Sequence, residues 1–173
     1  MRTLVWTGLL VFALDQLSKL LVLLTVFPFT PADLFFVDGP LPSARSVVVI
    51  PGMLELHMAW NRGINFGIGA GFDARWLLIG IAVAISLAVL VWLWRSGGSR
   101  WHFIAGGLLV GGALGNVVDR VIYGAVADFL NVSCCGIDNP FAFNIADVAI
   151  FLGAVGLALL PDANRKTPRK AKT

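Results

Sequence analysis

Phe143–Gly153, FNIADVAIFLG, opens the last apolar run of the chain and sets an aspartate, Asp147, one turn after an asparagine, Asn144. The question is whether that run enters a membrane, because a carboxylate in hydrocarbon costs roughly 2.5–3.5 kcal/mol and then needs a partner or a task. Composition answers it. Hydrophobic residues fill 58% of the 173 positions, charged residues only 13%, and the mean hydropathy is +0.84. A soluble domain carries about twice that share of charge. The chain reads as an integral membrane protein.

Working outward from Asp147, four segments are apolar enough for a bilayer, which takes about 20 residues each. They are residues 4–27, 76–94, 102–120 and 141–160. The first is broken by Asp15 and Lys19 and shows no small-residue cleavage site, so it reads as a helix that stays rather than a signal peptide. The second is uncharged, and the third holds Gly106, Gly107, Gly111, Gly112 and Gly115. The fold class expected is an all-α membrane protein, a bundle of four transmembrane helices with a small outer β-sheet cradle.

Basic residues set the orientation. Arg2, Arg95, Arg100, Arg165, Lys166, Arg169, Lys170 and Lys172 fall on one side, opposed there only by Asp162. By the positive-inside rule both termini and the short middle loop are cytoplasmic. The basic tail, 162–173, therefore reads as a topology and lipid-headgroup feature, and no nucleic-acid partner is expected. The longer loops face outward. In the first, five prolines between Pro28 and Pro51 oppose a helix, while Ser46–Ile50 is β-branched and Leu54–Trp60 alternates with period two. Asn61-Arg62-Gly63 reads as a turn, and Asp73 as a cap on the second span. The cradle is expected over about 44–70.

The ionisable residues share one depth. Asp15 lies about 11 residues into an outward-running helix, near or just past the midplane at 1.5 Å per residue. Lys19 is at i+4 on its face. Asn116, Asp119 and Arg120 gather at the outer end of the third segment, Asp128 follows past Gly124, and Asp147 opens the fourth. Each has a plain structural reading. Asp15 with Lys19 can be an intrahelical ion pair, Asp119 with Arg120 a tie between helix ends, and Asn116 and Asn144 interhelical hydrogen-bond glue. The glycines can simply permit close packing. Asp128 and Asp147 differ, having no basic residue at i±3 or i±4. Two carboxylates at one depth without local cations point to a site sharing a proton.

Other chemistries fit less well. His57 is outside and His102 at the cytoplasmic end, so they cannot share a metal. Ser18 and Lys19 point apart on a helix. Cys134 and Cys135 are adjacent in an outer loop, where free thiols or bonding to a partner's cysteine are expected over a bond between neighbours. No phosphate-cradling motif is present.

The motifs DQLSK (Asp15–Lys19), NRGINFG (Asn61–Gly67), GGALGNVVDR (Gly111–Arg120), GAVADF (Gly124–Phe129) and FNIAD (Phe143–Asp147) together resemble the ordered set of lipoprotein signal peptidase, signal peptidase II. The resemblance runs from the first segment to the fourth and departs at Ile64 and Asn65, where many members carry small residues. It implies an aspartyl endopeptidase of the bacterial inner membrane that removes signal peptides from diacylglyceryl-modified prolipoproteins, cutting before the lipidated cysteine. Asp128 and Asp147 match the family's catalytic aspartates. Asn116, Asp119, Arg120 and Asn144 match its supporting polar shell, with Gly112 beside them; Asp15 and Lys19 match its first-helix motif. Asn61 and Gly63 fall on the outer-loop motif that helps hold substrate. No metal or organic cofactor is implied; the expected partners are prolipoproteins and membrane lipids, and the chain is expected to work as a monomer. Two alternatives use the same carboxylates or pocket: a small proton- or ion-coupled transporter, and a lipid- or lipoprotein-binding chaperone. The uncharged second segment and the lack of an internal repeat weigh against the transporter.

Overall fold

The structure is a computed structural model that describes residues 1–27, 46–63, 74–136 and 138–161. The expectations for Asp73, for Ile64 and Asn65, for residues 28–45 and for the tail 162–173 lie outside the described residues. Helix α1 spans Arg2–Leu21 and runs on through a π-helical turn, Val22–Val26. Strands β1 (Ser46–Ile50) and β2 (Leu54–Asn61) follow, then helices α2 (Ala74–Ser96) and α3 (Arg100–Tyr123). Strand β3 (Val126–Val132) and helix α4 (Ile145–Leu159) complete the order.

Among the described residues, three helical stretches are long and apolar enough to cross a membrane: 2–26, 74–96 and 100–123. Helix α4 is also apolar but has only 15 residues, about 22 Å at 1.5 Å each, against a hydrocarbon core of about 30 Å. The apolar run in the sequence begins at Phe141, four residues before the helix does. The reason is local. Phe143 exchanges backbone hydrogen bonds with Leu130 (2.8 and 2.9 Å), so the entry to α4 is held extended as a partner of β3. Asn144 then caps the helix from an extended backbone, φ −131° and ψ 179°.

Helix α3 is the centre of the bundle, packed against α1, α2 and α4. Its glycines explain why. Between helices in lipid there is little hydrophobic force, so association relies on close backbone contact. A Cβ on Gly107 would stand 2.7 Å from Leu4 O of α1, and one on Gly111 would run into Gly8 O. On the other side, a Cβ on Gly112 would stand 2.5 Å from Ala146 O of α4. Gly153 of α4 returns the fit, with Ala105 O at 2.6 Å. By contrast α2 buries only Ser86 and Leu93 and leaves its apolar surface outward.

Helix α3 ends at Gly124, whose φ of 71° suits glycine and turns the chain into β3. That strand stands in the second outer loop, between the third and fourth apolar segments, where no strand is expected from the sequence. The sheet is antiparallel in the order β1-β2-β3, with Leu56 opposite Leu130 and Ala59 opposite Asp128. An irregularity in β2 separates those two pairs. Ala127 and Phe129 face a buried cluster with Val22, Leu23, Phe27 and Met58, which fastens the sheet to the end of α1. By strand alternation Asp128 points the other way, toward α3 and α4.

The cysteines also correct an expectation. Cys134 and Cys135 are joined to each other rather than free. The backbone takes positive φ at Cys135 (62°) and Gly136 (81°), a turn that brings neighbouring side chains together.

Candidate active site

Asp147 stands in the first turn of α4 and Asp128 in the middle of β3, 19 positions earlier by number, yet one side chain spans both. Asn144 accepts the backbone N–H of Asp147 on its Oδ1 at 2.9 Å. Its Nδ2 donates to Asp128 Oδ1 at 2.6 Å and to Asn116 Oδ1 at 3.2 Å. Asn116 in turn donates to Asp147 Oδ1 at 2.8 Å. Asp147 closes the capping box by accepting the Asn144 N–H at 3.3 Å. The two carboxylates therefore sit at either end of an asparagine pair contributed by α3 and the cap of α4.

Asp128 has a second donor. Asn61 Nδ2 reaches its Oδ2 at 3.1 Å, and Asn61 Oδ1 is held by the Gly63 N–H at 2.9 Å, so the turn after β2 aims the amide nitrogen at the carboxyl. Gly63 needs to be glycine on two counts: its φ is 85°, and a Cβ there would strike Leu78 of α2. Asp128 is 3% exposed. Burial, and then the nearby charge of Asp147, push its carboxyl up to about 7; the bonds from Asn61 and Asn144 pull the other way.

Beneath the pair lies a second polar layer. Lys19 reaches Asp15 at 2.8 Å and Asp119 at 2.7 Å, with all three side chains 3% exposed or less. Asp15 with Lys19 is thus part of an interhelical cluster rather than only an intrahelical pair. Asp119 does not pair with Arg120, which instead donates from Nη1 to Asn116 O at 3.2 Å. Arg120 is attracted by Asp147, Asp128 and Asp119, and its buried Nε has no hydrogen-bond partner among the described residues. Gly112 lets α3 approach Ala146, directly before Asp147.

The sequence model of a family described as signal peptidase (SPase) II matches residues 7–161. The chain belongs to the signal peptidase II family. A lipoprotein signal peptidase of Methylobacterium sp. (strain 4-46) is 40% identical over 153 residues, 87% of this chain and 83% of that protein. One from Pseudomonas fluorescens (strain Pf0-1) is 39% identical over 165 residues, 94% of this chain and 88% of that one. A bacterial membrane enzyme solved by the in meso method at 2.3 Å superposes with a TM-score of 0.71 at 28% identity, covering 99% of this chain and 96% of that one. The chain is a membrane peptidase of that family, with a mostly helical fold and a small antiparallel sheet.

The site of this signal peptidase II family member also holds groups that sequence reasoning did not single out. Gln16 contacts Asp15 and Asp119, and the backbone N–H groups of Ala127 and Ala146 bond to Asp119 and Asp15. Neighbours on a helix ordinarily diverge by about 100°, so nothing in the spacing of Asp15 and Gln16 announces a shared contact. VADFLNV carries β-branched and aromatic residues at Val126, Phe129 and Val132, but Asp128 and Asn131 among them blur the strand pattern.

Proposed function

We propose that this protein is an intramembrane aspartyl endopeptidase that removes signal peptides from diacylglyceryl-modified prolipoproteins, cutting before the lipidated cysteine. The carrying observation is the bridge from Asn144 to both Asp128 and Asp147. The names of the relatives, lipoprotein signal peptidases, support the substrate class.

Water is a poor nucleophile, so the pair must supply one acid and one base. Asp128, whose pKa is pushed up to about 7, holds the shared proton, and Asp147 takes the part of the base. Asp147 takes a proton from water as the water oxygen bonds to the scissile carbonyl carbon. Asp128 gives its proton to the carbonyl oxygen, producing a tetrahedral diol. Collapse returns the proton from one hydroxyl to Asp128 while Asp147 protonates the departing nitrogen. The products are a carboxyl group and a free amine on the lipidated cysteine, and the pair regains its starting state. Arg120, beside both carboxylates, favours the ionised one. In this reading the enzyme lies in the bacterial inner membrane with both termini cytoplasmic and the aspartates near the outer face. There the lipid tails of a substrate stay in the bilayer while its scissile bond meets water.

The test is cleavage of a diacylated prolipoprotein by the purified chain, with the new N-terminus identified by mass spectrometry. Binding without cleavage would support a chaperone, and cleavage surviving in folded Asp147→Asn would remove the aspartyl mechanism.

A further inference from the structure

Asp15 and Asp119 make the same contact in two places. Asp15 Oδ1 accepts the backbone N–H of Ala146 at 3.0 Å, one residue before Asp147. Asp119 Oδ2 accepts the backbone N–H of Ala127 at 3.2 Å, one residue before Asp128. Each buried carboxylate thus grips the main chain beside one member of the proposed pair. The two grips are joined twice. Lys19 Nζ bonds both carboxylates, and Gln16 Nε2 stands 3.1 Å from Asp15 Oδ2 and 3.0 Å from Asp119 Oδ1, with Gly115 O at 3.4 Å.

The two links differ in kind. The Lys19 ammonium is a point charge on a flexible stem and has little directional preference. A carboxamide is planar and carries two N–H groups at a fixed angle, so it holds two acceptors at a defined separation. We propose that Gln16 is a positioning residue: by tying Asp15 to Asp119 it sets the spacing between the Ala127–Asp128 and Ala146–Asp147 backbones. This rests on the aspartyl reading for its effect on rate, but not for its effect on the backbone. A small change of spacing matters because a misplacement of about 1 Å can cost roughly 100-fold in rate.

The experiment uses the full-length protein in nanodiscs and Gln16→Met, which keeps the length of the stem and removes the donors. Hydrogen exchange is followed by mass spectrometry at segments 126–129 and 144–148, with 105–112 as a packing control. Steady-state cleavage of a diacylated peptide is measured in parallel. Exchange is expected to rise together at both segments, by about fivefold or more, while 105–112 stays unchanged. kcat should fall roughly 10- to 100-fold with KM within about threefold. A rise at neither segment, at only one, or equally across 105–112 would overturn the proposal, as would an unchanged kcat. Absence of cleavage in the parent protein would sink the aspartyl reading alone, leaving the exchange result to decide the clamp. Should Gln16→Met fail to fold, Gln16→Glu, which places a third carboxylate in the cluster, is expected to give the same paired rise, and its absence would refute the clamp.

Discussion

Removing the side chain of Asn144 is the perturbation that separates this site from an ordinary polar helix end. Asn144→Ala deletes the N-cap bond to Asp147, worth about 1 kcal/mol. It also deletes the donor to the Asp128 carboxyl, which holds its proton up to about pH 7; a hydrogen bond between neutral groups contributes about 0.5–1.5 kcal/mol. Folded stability should therefore fall by about 1.5–2.5 kcal/mol, from the sum of those two contributions. The effect on pH dependence has a definite sign. Asn144 donates to Asp128 and so favours the ionised form; without it the carboxyl, already near 7, should hold its proton to higher pH. The alkaline fall in kcat/KM, where Asp128 loses the proton it must give to the carbonyl, should move upward by about one pH unit, equivalent to 1.36 kcal/mol. The maximal rate should drop about 100-fold or more, the scale of misplacing a general acid or base. The assay is a pH–rate profile on a fluorogenic diacylated peptide between pH 5 and 9, beside thermal unfolding in the same detergent. A folded mutant with cleavage within threefold of the parent and an unmoved alkaline limb would refute the coupling of the two carboxylates through Asn144.

Asp128→Asn and Asp147→Asn should each lower kcat by at least 10²–10⁴-fold, and the double mutant should be hardly worse, since the pair acts as a unit; single-turnover assays on folded protein decide this. Folded Asp128 binds its proton up to about pH 7 whereas an unfolded aspartate releases it near 3.8, so its contribution to stability declines as pH rises through that window. Asp128→Asn should accordingly unfold at a higher temperature than the parent at pH 8, and an equal or lower temperature would contradict the burial cost. Replacing Cys134 and Cys135 together by serine should leave cleavage within a few-fold, because no step of the proposed chemistry uses sulfur; a loss as large as that of Asp147→Asn would show otherwise. Gly112→Leu should block the approach of α3 to Ala146 and abolish both yield and activity, whereas Gly80→Ala, with open space around it, should be tolerated in an expression and melting assay. A membrane-impermeant thiol reagent applied from outside, on a background lacking the native cysteines, should label Ser46→Cys and spare Arg100→Cys; the reverse pattern would invert the proposed orientation.

Several features of this protein were determined by the sequence alone, because they depend on composition and on contacts between near neighbours. The apolar runs announce the membrane class whatever the packing. The alternation over Leu54–Trp60 announces a strand, and Asn61-Arg62-Gly63 the turn that closes it, since side-chain period and positive φ are local properties. Asp128 and Asp147 stood out for lacking nearby cations, again a matter of spacing. The extent of α4 was not legible: hydropathy sees Phe141–Phe143 as apolar, but pairing of Phe143 with Leu130 holds that stretch extended. Nor was β3, whose central aspartate weakens the pattern of a strand. The contacts that join Asp15, Gln16, Lys19 and Asp119 were decided only by tertiary structure. On α1 alone Asp15 and Lys19 make a sufficient pair. Only when α3 comes close, through Gly107, Gly111 and Gly115, does Asp119 meet the same ammonium and the same amide. Close approach of backbones is a property of two surfaces at once, and no single stretch of chain encodes it.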